Sequence, residues 1–323
     1  MLTDIALLSL GLLILLLSGD ALVKGAVNLA LRAGVPALLV SLTIVAFGTS
    51  APELLVSIQA IMTGAAGIAL GNVIGSNIAN VLLVLGIPAM LSGLHTSACD
   101  CRKTYVIMMG ATAVFVGLAY TDLFNWIDGT VLLFLLALML GDAFWTVYRH
   151  RCERAAAGSA KDEAEAEDVE GADTSVSTWK IWIYLGLGLV GLPLGADLLV
   201  DAAVDIAHVL NVPETVIGLT LVALGTSLPE LATTVMAAIR GQTDVAIGNV
   251  IGSNLFNMLA IIGIASFVGP IPVDPQTLRF DIWVMVLSSA VLFPYVFLKL
   301  DMGRFAGIAL TAAYIGFLFQ VVS

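Results

Sequence analysis

Charged residues are scarce in this chain of 323 residues, of which only 11% are Asp, Glu, Lys or Arg and 59% are hydrophobic. Soluble domains carry about 25% charged and about 45–50% apolar residues. The mean hydropathy of +1.03 points the same way. This balance excludes a soluble enzyme and predicts an all-α integral membrane protein whose partner is the lipid bilayer. No nucleic-acid partner is expected.

Side chains and motifs of common catalytic sites are also few. The sequence has no Gly-x-x-x-x-Gly-Lys-Ser/Thr loop, so nothing suggests a hydrolysed nucleotide or another cofactor. The three histidines are scattered near segment ends and favour no proton relay. The three cysteines, Cys99, Cys101 and Cys152, are expected to be reduced thiols on the cytoplasmic side. We therefore expect no enzymatic activity.

Long apolar runs fill the chain instead. A run of about 20 apolar residues is long enough to cross a bilayer as a helix. Ten such runs, here called segments 1 to 10, predict ten transmembrane helices, at about residues 2–22, 36–62, 66–93, 104–121, 128–147, 180–207, 213–239, 243–269, 282–298 and 303–322.

The distribution of Lys and Arg predicts the orientation of these segments. If the N-terminus is outside, all Lys and Arg residues except Arg279 fall on the cytoplasmic side, as the positive-inside rule requires. Both termini then lie outside the cell membrane. The stretch 148–178 is rich in acidic residues, Ala and Ser, and is predicted to be a disordered cytoplasmic linker.

Two motifs occur twice, each time 177 residues apart. Gly-Thr-Ser-x-Pro-Glu stands at 48–53 and 225–230, and Gly-Asn-Val-Ile-Gly-Ser-Asn at 71–77 and 248–254. The chain aligns with itself at this offset, without a gap, over residues 36–90. The sequence is therefore two copies of one unit.

Each copy holds five segments. Because five is odd, the second copy starts from the opposite face of the membrane, so the two copies are inverted. We assign residues 1–147 to the first inverted repeat, 148–178 to the linker and 179–323 to the second repeat. Inverted repeats with interrupted helices at mid-membrane are typical of secondary transporters.

The first motif interrupts segments 2 and 7 near their midpoints. Pro52 lacks an N–H, and its ring clashes with the carbonyl of Gly48, so we expect freed carbonyls from Ala46 to Thr49. Unsatisfied backbone at this depth is tolerated only where it is buried in protein or lines a wet cavity. Freed carbonyls beside hydroxyls and a carboxylate are the oxygen ligands that Na⁺ and Ca²⁺ prefer.

The two glutamates of this motif sharpen the prediction. An ionised carboxylate costs several kcal/mol at the bilayer centre, and two close carboxylates repel unless a cation lies between them. We therefore expect one site of Ca²⁺ size between Glu53 and Glu230. Its further ligands would be carbonyls and hydroxyls of Thr49, Ser50, Thr226 and Ser227.

The second motif interrupts segments 3 and 8. Gly71, Gly75, Gly248 and Gly252 predict close helix approach. Ser76 and Asn80 lie four residues apart and share a helix face, as do Ser253 and Asn257. Asn77 and Asn254 point elsewhere and are expected to cap the break or to bond between helices.

These motifs resemble those of the sodium/calcium exchanger family, within the calcium/cation antiporter superfamily. The resemblance covers residues 36–90 and 213–267, and the ten-helix layout extends it to most of the chain. It implies that segments 2, 3, 7 and 8 surround the cation sites and that segments 1 and 6 slide across them. It also implies electrogenic antiport of about three Na⁺ against one Ca²⁺ by alternating access.

The resemblance also implies roles for individual residues. Glu53 and Glu230 would be ligands shared by Ca²⁺ and Na⁺, and Thr49 and Thr226 would offer carbonyls. Other positions would line the Na⁺ sites or close the ring of ligands, namely Ser50, Ser227, Ala46, Ala223, Ser76, Ser253, Asn80 and Asn257.

One departure from the family pattern leaves alternatives open. Some exchangers carry an aspartate where this chain has Asn257, so only two carboxylates remain in the site. A H⁺/Ca²⁺ antiporter, in which two protons neutralise Glu53 and Glu230, is the second interpretation. A cation channel or a membrane sensor that transports nothing is a more distant one. The protein is expected to be a monomer or a weak oligomer.

Overall fold

The computed structural model describes residues 2–32, 50–96, 101–156, 177–239 and 243–322. Within them the chain is almost wholly helical, which confirms the all-α prediction. The described residues pair as strands only where Leu123–Phe124 (β1) meets Ile271–Pro272 (β2) in an antiparallel pair. This short pair ties the loop after the fourth segment to the loop after the eighth.

The described part of the first half contains six α-helices and one π-helical turn. They are α1 (Leu2–Arg32), α2 (Ala51–Met62), α3 (Ala66–Ala79), π1 (Asn80–Val84), α4 (Gly86–Ser92), α5 (Arg102–Ala119) and α6 (Trp126–Ala156).

The described part of the second half contains nine α-helices and three π-helical turns. Its elements are α7 (Thr178–Leu210), α8 (Glu214–Ile217), π2 (Gly218–Val222), α9 (Ala223–Thr226), α10 (Leu228–Ile239), α11 (Thr243–Phe256), π3 (Asn257–Ile261), α12 (Ile262–Val268), π4 (Thr277–Asp281), α13 (Ile282–Ala290), α14 (Phe293–Phe297) and α15 (Arg304–Val322).

Seven helices of the described chain are long and apolar enough to cross a membrane. An eighth span results if Glu214–Thr226 and Leu228–Ile239, which are bent by 40°, are one broken helix. Each of the ten predicted segments contains helix in its described part. In segment 2 only residues 50–62 are described, with helix over Ala51–Met62, and the helix of segment 4 begins with two basic residues. Ten spans therefore stay a prediction.

Several helices extend beyond the apolar runs that predicted them. Segment 1 was predicted to end near residue 22, yet α1 continues to Arg32, whose positive charge suits the negative end of the helix dipole. Helix α7 runs to Leu210 and ends where Asn211 adopts a left-handed conformation with a φ of 54°. Hydropathy marks the part of a helix that lies in lipid, and not where its backbone hydrogen bonds stop.

Helices α1 and α7 pack against each other in antiparallel fashion along small residues. A Cβ added to Gly11 would lie 2.8 Å from the backbone nitrogen of Leu199, and one on Gly188 would lie 2.6 Å from Cβ of Leu22. At the far end the Arg32 guanidinium donates to the Thr178 hydroxyl at 2.7 Å. Contacts between these two helices are more extensive than those of either with any other helix of the described chain.

Helix α3 packs equally closely against the interrupted helix of segment 7. A Cβ on Gly75 would lie 2.6 Å from the carbonyl oxygen of Leu219, and one on Gly218 would lie 2.6 Å from that of Ile68. The predicted close approach thus occurs at Gly71 and Gly75. At Gly248 and Gly252, however, no atom of the described residues lies within 4 Å of an added Cβ.

The prediction of reduced thiols is wrong for Cys101, which is disulfide-bonded in the structure. That prediction rested on the reducing character of the expected compartment. Whether a thiol pairs also depends on which sulfur the fold brings next to it, and sequence does not reveal this. Cys99 lies outside the described residues.

Candidate cation site

In both copies of Gly-Thr-Ser-x-Pro-Glu a helix begins directly after the serine, and in the second copy another helix ends just before it. Ser50 has φ −88° and ψ 5°, and Ser227 has φ −82° and ψ 5°. Pro52 then lies in the first turn of α2, where a missing N–H leaves no hydrogen bond unmade. The proline therefore stands at the start of a helix, where its ring is tolerated. Ala46, Gly48 and Thr49 lie outside the described residues, so the predicted freed carbonyls of the first copy do too.

In the second copy the carbonyl of Ala223 is not freed by the break. It accepts the backbone N–H of Ser227 at 3.1 Å. It could bind a cation only through its second lone pair. The side chain of Thr226 is fully buried, and its one hydroxyl hydrogen is shared between the carbonyl oxygen of Val222 at 3.0 Å and Oδ1 of Asn72 at 3.1 Å.

The two glutamates come together inside the protein. Glu53 lies in the first turn of α2 and Glu230 in the first turn of α10, and each is 1% exposed. Their carboxyl groups are close enough to interact electrostatically. Each also occupies the positive end of its helix dipole, which favours a negative charge there. Two buried carboxylates thus meet at the N-terminal ends of two short helices.

The two asparagines of the predicted site each begin a π-helical turn. π1 begins at Asn80, and π3 begins at Asn257, its equivalent in the repeat. In π1 the N–H of Leu85 donates to the carbonyl oxygen of Asn80 at 3.2 Å, five residues back. Such single wide turns often occur at functional sites because they displace side chains from the regular helical position.

The four interrupted segments cross at this level. Helix α2, which carries Glu53, contacts the turn that begins at Asn257, and helix α10, which carries Glu230, contacts the turn that begins at Asn80. Each glutamate helix therefore packs on the asparagine turn of the other half of the chain. The structure brings together two elements from each half around one point.

Several buried oxygen atoms in this region have no hydrogen-bond partner among the described residues. An unpaired buried polar atom costs about 1–3 kcal/mol, so a group of them needs an explanation. Hydroxyl, amide and carboxylate oxygens are the ligands that a hard cation such as Na⁺ or Ca²⁺ prefers. These atoms are Oγ of Ser50, Ser76 and Ser227, Oε2 of Glu53, and Oδ1 of Asn80 and Asn257.

The remaining predicted side chain, Ser253, is also buried, with 2% of its surface exposed. Among the described residues, no three His, Cys, Asp or Glu side chains gather in one group that could hold a metal ion. The acidic side chains that we assign to this region are Glu53 and Glu230, and position 257 supplies an amide.

Asn72 is a residue whose part in this region we did not predict. Its Nδ2 donates to the backbone oxygen of Glu53 and to Oγ of Ser57, both at 3.4 Å, and its Oδ1 accepts from the Thr226 hydroxyl at 3.1 Å. It thus links α2, α3 and α9. The available signal was its place in the repeated heptapeptide, where Asn249 is its equivalent.

Comparison with known proteins identifies the family. The family model described as "Sodium/calcium exchanger protein" matches residues 3–145 and 180–322, which together are most of the chain. The chain belongs to the sodium/calcium exchanger family. Members of this family are transporters, so the prediction that the protein is not an enzyme is confirmed.

Curated relatives match this chain from end to end. "Sodium/calcium exchanger MaX1" of Methanosarcina acetivorans is 32% identical, and the match covers 97% of this chain and 96% of the relative. "Inner membrane protein YrbG" of Escherichia coli is 34% identical over 98% of this chain and 95% of the relative. "Putative antiporter CaxA" of Alkalimonas amylolytica is 33% identical over 97% of each.

Solved structures of an exchanger have the same fold. The sodium-calcium exchanger NCX_Mj soaked with Na⁺ and Sr²⁺ is 34% identical, with a TM-score of 0.63, and the match covers 97% of this chain and 96% of that one. The same exchanger soaked with Na⁺ and Ca²⁺ also has a TM-score of 0.63. The present protein is therefore a multi-pass membrane transporter of this family.

Proposed function

We propose that this protein is a secondary active antiporter that exchanges Ca²⁺ for Na⁺ by alternating access. The observation that carries the proposal is the meeting of Glu53 and Glu230, both buried, among hydroxyl and amide oxygens that lack partners in the described chain. The family and the name of relatives such as MaX1 support Na⁺ and Ca²⁺ as the exchanged ions.

The charges of the site determine the electrical character of the cycle. One Ca²⁺ neutralises two carboxylates, whereas about three Na⁺ would leave one positive charge, as is expected for an electrogenic secondary transporter. The absence of a third carboxylate at Asn257 makes the Ca²⁺-loaded form neutral. Because a net charge is unfavourable in a low-dielectric interior, a neutral Ca²⁺-loaded site has the lowest electrostatic free energy when it is closed off from water on both sides.

The proposed ligands keep the roles that the motifs predict. Glu53 and Glu230 are shared by both ions, and the remaining oxygens come from Thr49, Thr226, Ser50, Ser227, Ala46, Ala223, Ser76, Ser253, Asn80 and Asn257. The carbonyl oxygen of Ala223 already accepts the N–H of Ser227. We therefore expect it to be a weaker cation ligand than the hydroxyls.

We also propose the finer architecture around this site. Ten helices would form two inverted repeats, 1–147 and 179–323, joined by the cytoplasmic linker 148–178, with both termini outside. The close antiparallel pairing of α1 with α7 supports a two-helix unit that moves as one body past the site. The protein would work as a monomer or a weak oligomer.

A transport assay tests the function. Purified protein in liposomes should take up radiolabelled Ca²⁺ when Na⁺ flows outward, and the uptake should respond to membrane voltage. Glu53→Gln and Glu230→Gln should each abolish uptake, since one carboxylate cannot balance Ca²⁺. Glu214→Gln, at the partly exposed start of α8, is the matched control and should transport normally. Na⁺-driven uptake by either site variant would contradict the assignment.

The second candidate is a H⁺/Ca²⁺ antiporter, because two buried carboxylates can also take up two protons. The same liposomes decide between the two. With voltage clamped, an outward H⁺ gradient that drives Ca²⁺ uptake while an outward Na⁺ gradient does not would establish proton coupling. Uptake driven by Na⁺ alone would exclude it.

A further inference from the structure

Four buried asparagines form two hydrogen-bond chains that cross between the halves of the protein. Asn80 donates through Nδ2 to Oδ1 of Asn254 at 3.1 Å, and Asn257 donates through Nδ2 to Oδ1 of Asn77 at 3.2 Å. All four side chains are 1% exposed. The two bonds are equivalent under the sequence repeat, since each joins the π-turn asparagine of one half to the heptapeptide asparagine of the other.

The first chain ends on an atom that can only accept. Nδ2 of Asn254 donates to the backbone oxygen of Asn77 at 3.3 Å. Because a carbonyl cannot donate, this contact fixes which end of the Asn254 amide is nitrogen. Oδ1 of Asn254 must then face Asn80 and can bind only its NH₂ group. The amide oxygen of Asn80 therefore points away from Asn254.

The second chain ends on a thioether. Nδ2 of Asn77 lies 3.5 Å from Sδ of Met285 in α13, and this sulfur is a weak acceptor without a hydrogen to donate. The Asn77 oxygen therefore faces Asn257 and binds its NH₂ group. Met285 is fully buried, so water does not compete for this contact. The amide oxygen of Asn257, like that of Asn80, is then the atom without a partner among the described residues.

We propose that Asn77, Asn254 and Met285 are positioning residues that hold the amide oxygens of Asn80 and Asn257, rather than their NH₂ groups, toward the cation. The inference rests on the proposed function and explains why both oxygens are buried without a partner among the described residues. An amide has nearly the same shape in its two orientations, and only its hydrogen bonds distinguish them. A reversed amide would withdraw one oxygen ligand and aim a partial positive charge at the cation.

Met285 allows the sharpest test, because Leu has a similar volume and shape but no acceptor. In Met285→Leu the Asn77 amide loses the contact that fixes its orientation, and Asn257 can reverse with it. Since one hydrogen bond contributes about 0.5–1.5 kcal/mol, we expect Ca²⁺ binding to weaken by about 2- to 10-fold. Titration calorimetry of the purified protein with Ca²⁺ measures this directly.

The chain offers a matched control. Met258 is also buried, and its sulfur lies 3.6 Å from the Thr112 hydroxyl, which donates to the carbonyl oxygen of Met108 at 2.8 Å, and this sulfur contact lies outside the asparagine pairs. Met258→Leu makes the same chemical change one residue from Asn257 and should leave Ca²⁺ affinity unchanged. An equal loss of affinity in both variants would mean that repacking near the site, and not amide orientation, is responsible.

Met285→Leu made in an Asn257→Asp background tests whether Met285 acts by orienting the amide or only by packing. Asn257→Asp presents an oxygen in either orientation, so its ligand no longer depends on Met285. Met285→Leu should therefore weaken Ca²⁺ binding in the unmodified protein but not in Asn257→Asp. The hydrogen-bond chain through Asn80 and Asn254 allows an independent test. Asn254→Leu should weaken Ca²⁺ binding in the unmodified protein but not in Asn80→Asp.

The outcomes distinguish this inference from the proposed function. If the unmodified protein binds Ca²⁺ and Met285→Leu binds equally well, or loses the same factor in both backgrounds, the positioning role is overturned. If the unmodified protein binds no Ca²⁺, the proposed function fails and this inference with it. Melting temperatures of all variants, measured without Ca²⁺, show that each protein is folded.

Discussion

At the scale of single residues, the buried serines divide into two kinds. Ser266 donates to the carbonyl oxygen of Ile262 at 2.7 Å, as a serine inside a helix usually does. Ser76 is equally buried, yet its hydroxyl has no partner in the described chain. A helix that keeps an unpaired hydroxyl in its interior gives up stability, and binding of a cation would recover it.

This difference predicts opposite effects of the same substitution. Ser76→Ala should leave the Ca²⁺-free protein as stable as before or stabilise it by up to about 1–3 kcal/mol, because an unpaired polar atom is removed. It should also weaken Ca²⁺ binding. Melting temperatures recorded with and without Ca²⁺ measure both effects.

Ser266→Ala is the control for this substitution. It removes a satisfied hydroxyl and should cost about 0.5–1.5 kcal/mol of stability, while Ca²⁺ should raise the melting temperature as it does in the unmodified protein. If Ser76→Ala were as destabilising as Ser266→Ala and bound Ca²⁺ normally, the Ser76 hydroxyl would be no ligand.

At the scale of elements, glycine decides how closely α3 approaches the interrupted helix of segment 7. The Cβ that Gly75 lacks would lie 2.6 Å from the carbonyl oxygen of Leu219 and 2.7 Å from Cβ of Ala223. The neighbour is therefore largely backbone, which cannot rotate away as a long side chain could. This contact holds Ser76 and Asn80 against the helix that leads to Glu230.

We expect Gly75→Ala to force these two helices apart. Overpacking of a tight contact costs about 1–3 kcal/mol, and transport should fall as well because the site widens. Gly117→Ala, at an exposed position of α5 where no described atom lies within 4 Å of the added Cβ, should instead stabilise by about 0.5–1 kcal/mol. Thermal unfolding in detergent compares the two, and equal melting temperatures would refute the close approach.

At the scale of the whole molecule, the proposed mechanism treats α1 and α7 as one unit that slides past a second unit, the elements around the site. The Gln59 side chain, on α2, donates to Asp197, on α7, at 2.7 Å and bridges the two units. The Arg32 guanidinium donates to Thr178 at the same distance but within the two-helix unit. Alternating access by sliding would change the first distance and preserve the second.

Crosslinking tests this motion. In a background without native cysteines, Gln59→Cys with Asp197→Cys, joined by a short bifunctional thiol reagent, should stop Ca²⁺ uptake while Ca²⁺ binding persists. Arg32→Cys with Thr178→Cys, joined by the same reagent, should leave uptake unchanged. Normal transport by the first crosslinked protein would show that the two units do not move relative to each other.

The sequence by itself determined the membrane class and the repeat, and it predicted an interruption at each Gly-Thr-Ser-x-Pro-Glu motif and a cation site between Glu53 and Glu230. These features are local or repeated: bilayer thickness sets the length of apolar runs, and a duplicated motif places equivalent residues at equivalent depths. Helix ends were predicted less well, as for α1, because capping and charge extend a helix beyond its apolar part.

Only the tertiary structure decided how the two halves meet. The contact of Asn77 with Met285 joins residues 208 positions apart, and the asparagine pairs cross from one half to the other. Asn72 likewise binds groups on two other helices. No local sequence pattern encodes such contacts, because they depend on how closely two helices approach each other at their glycine residues. Residue types could indicate a cation site, but packing of the helices selects which atom of each amide faces the ion.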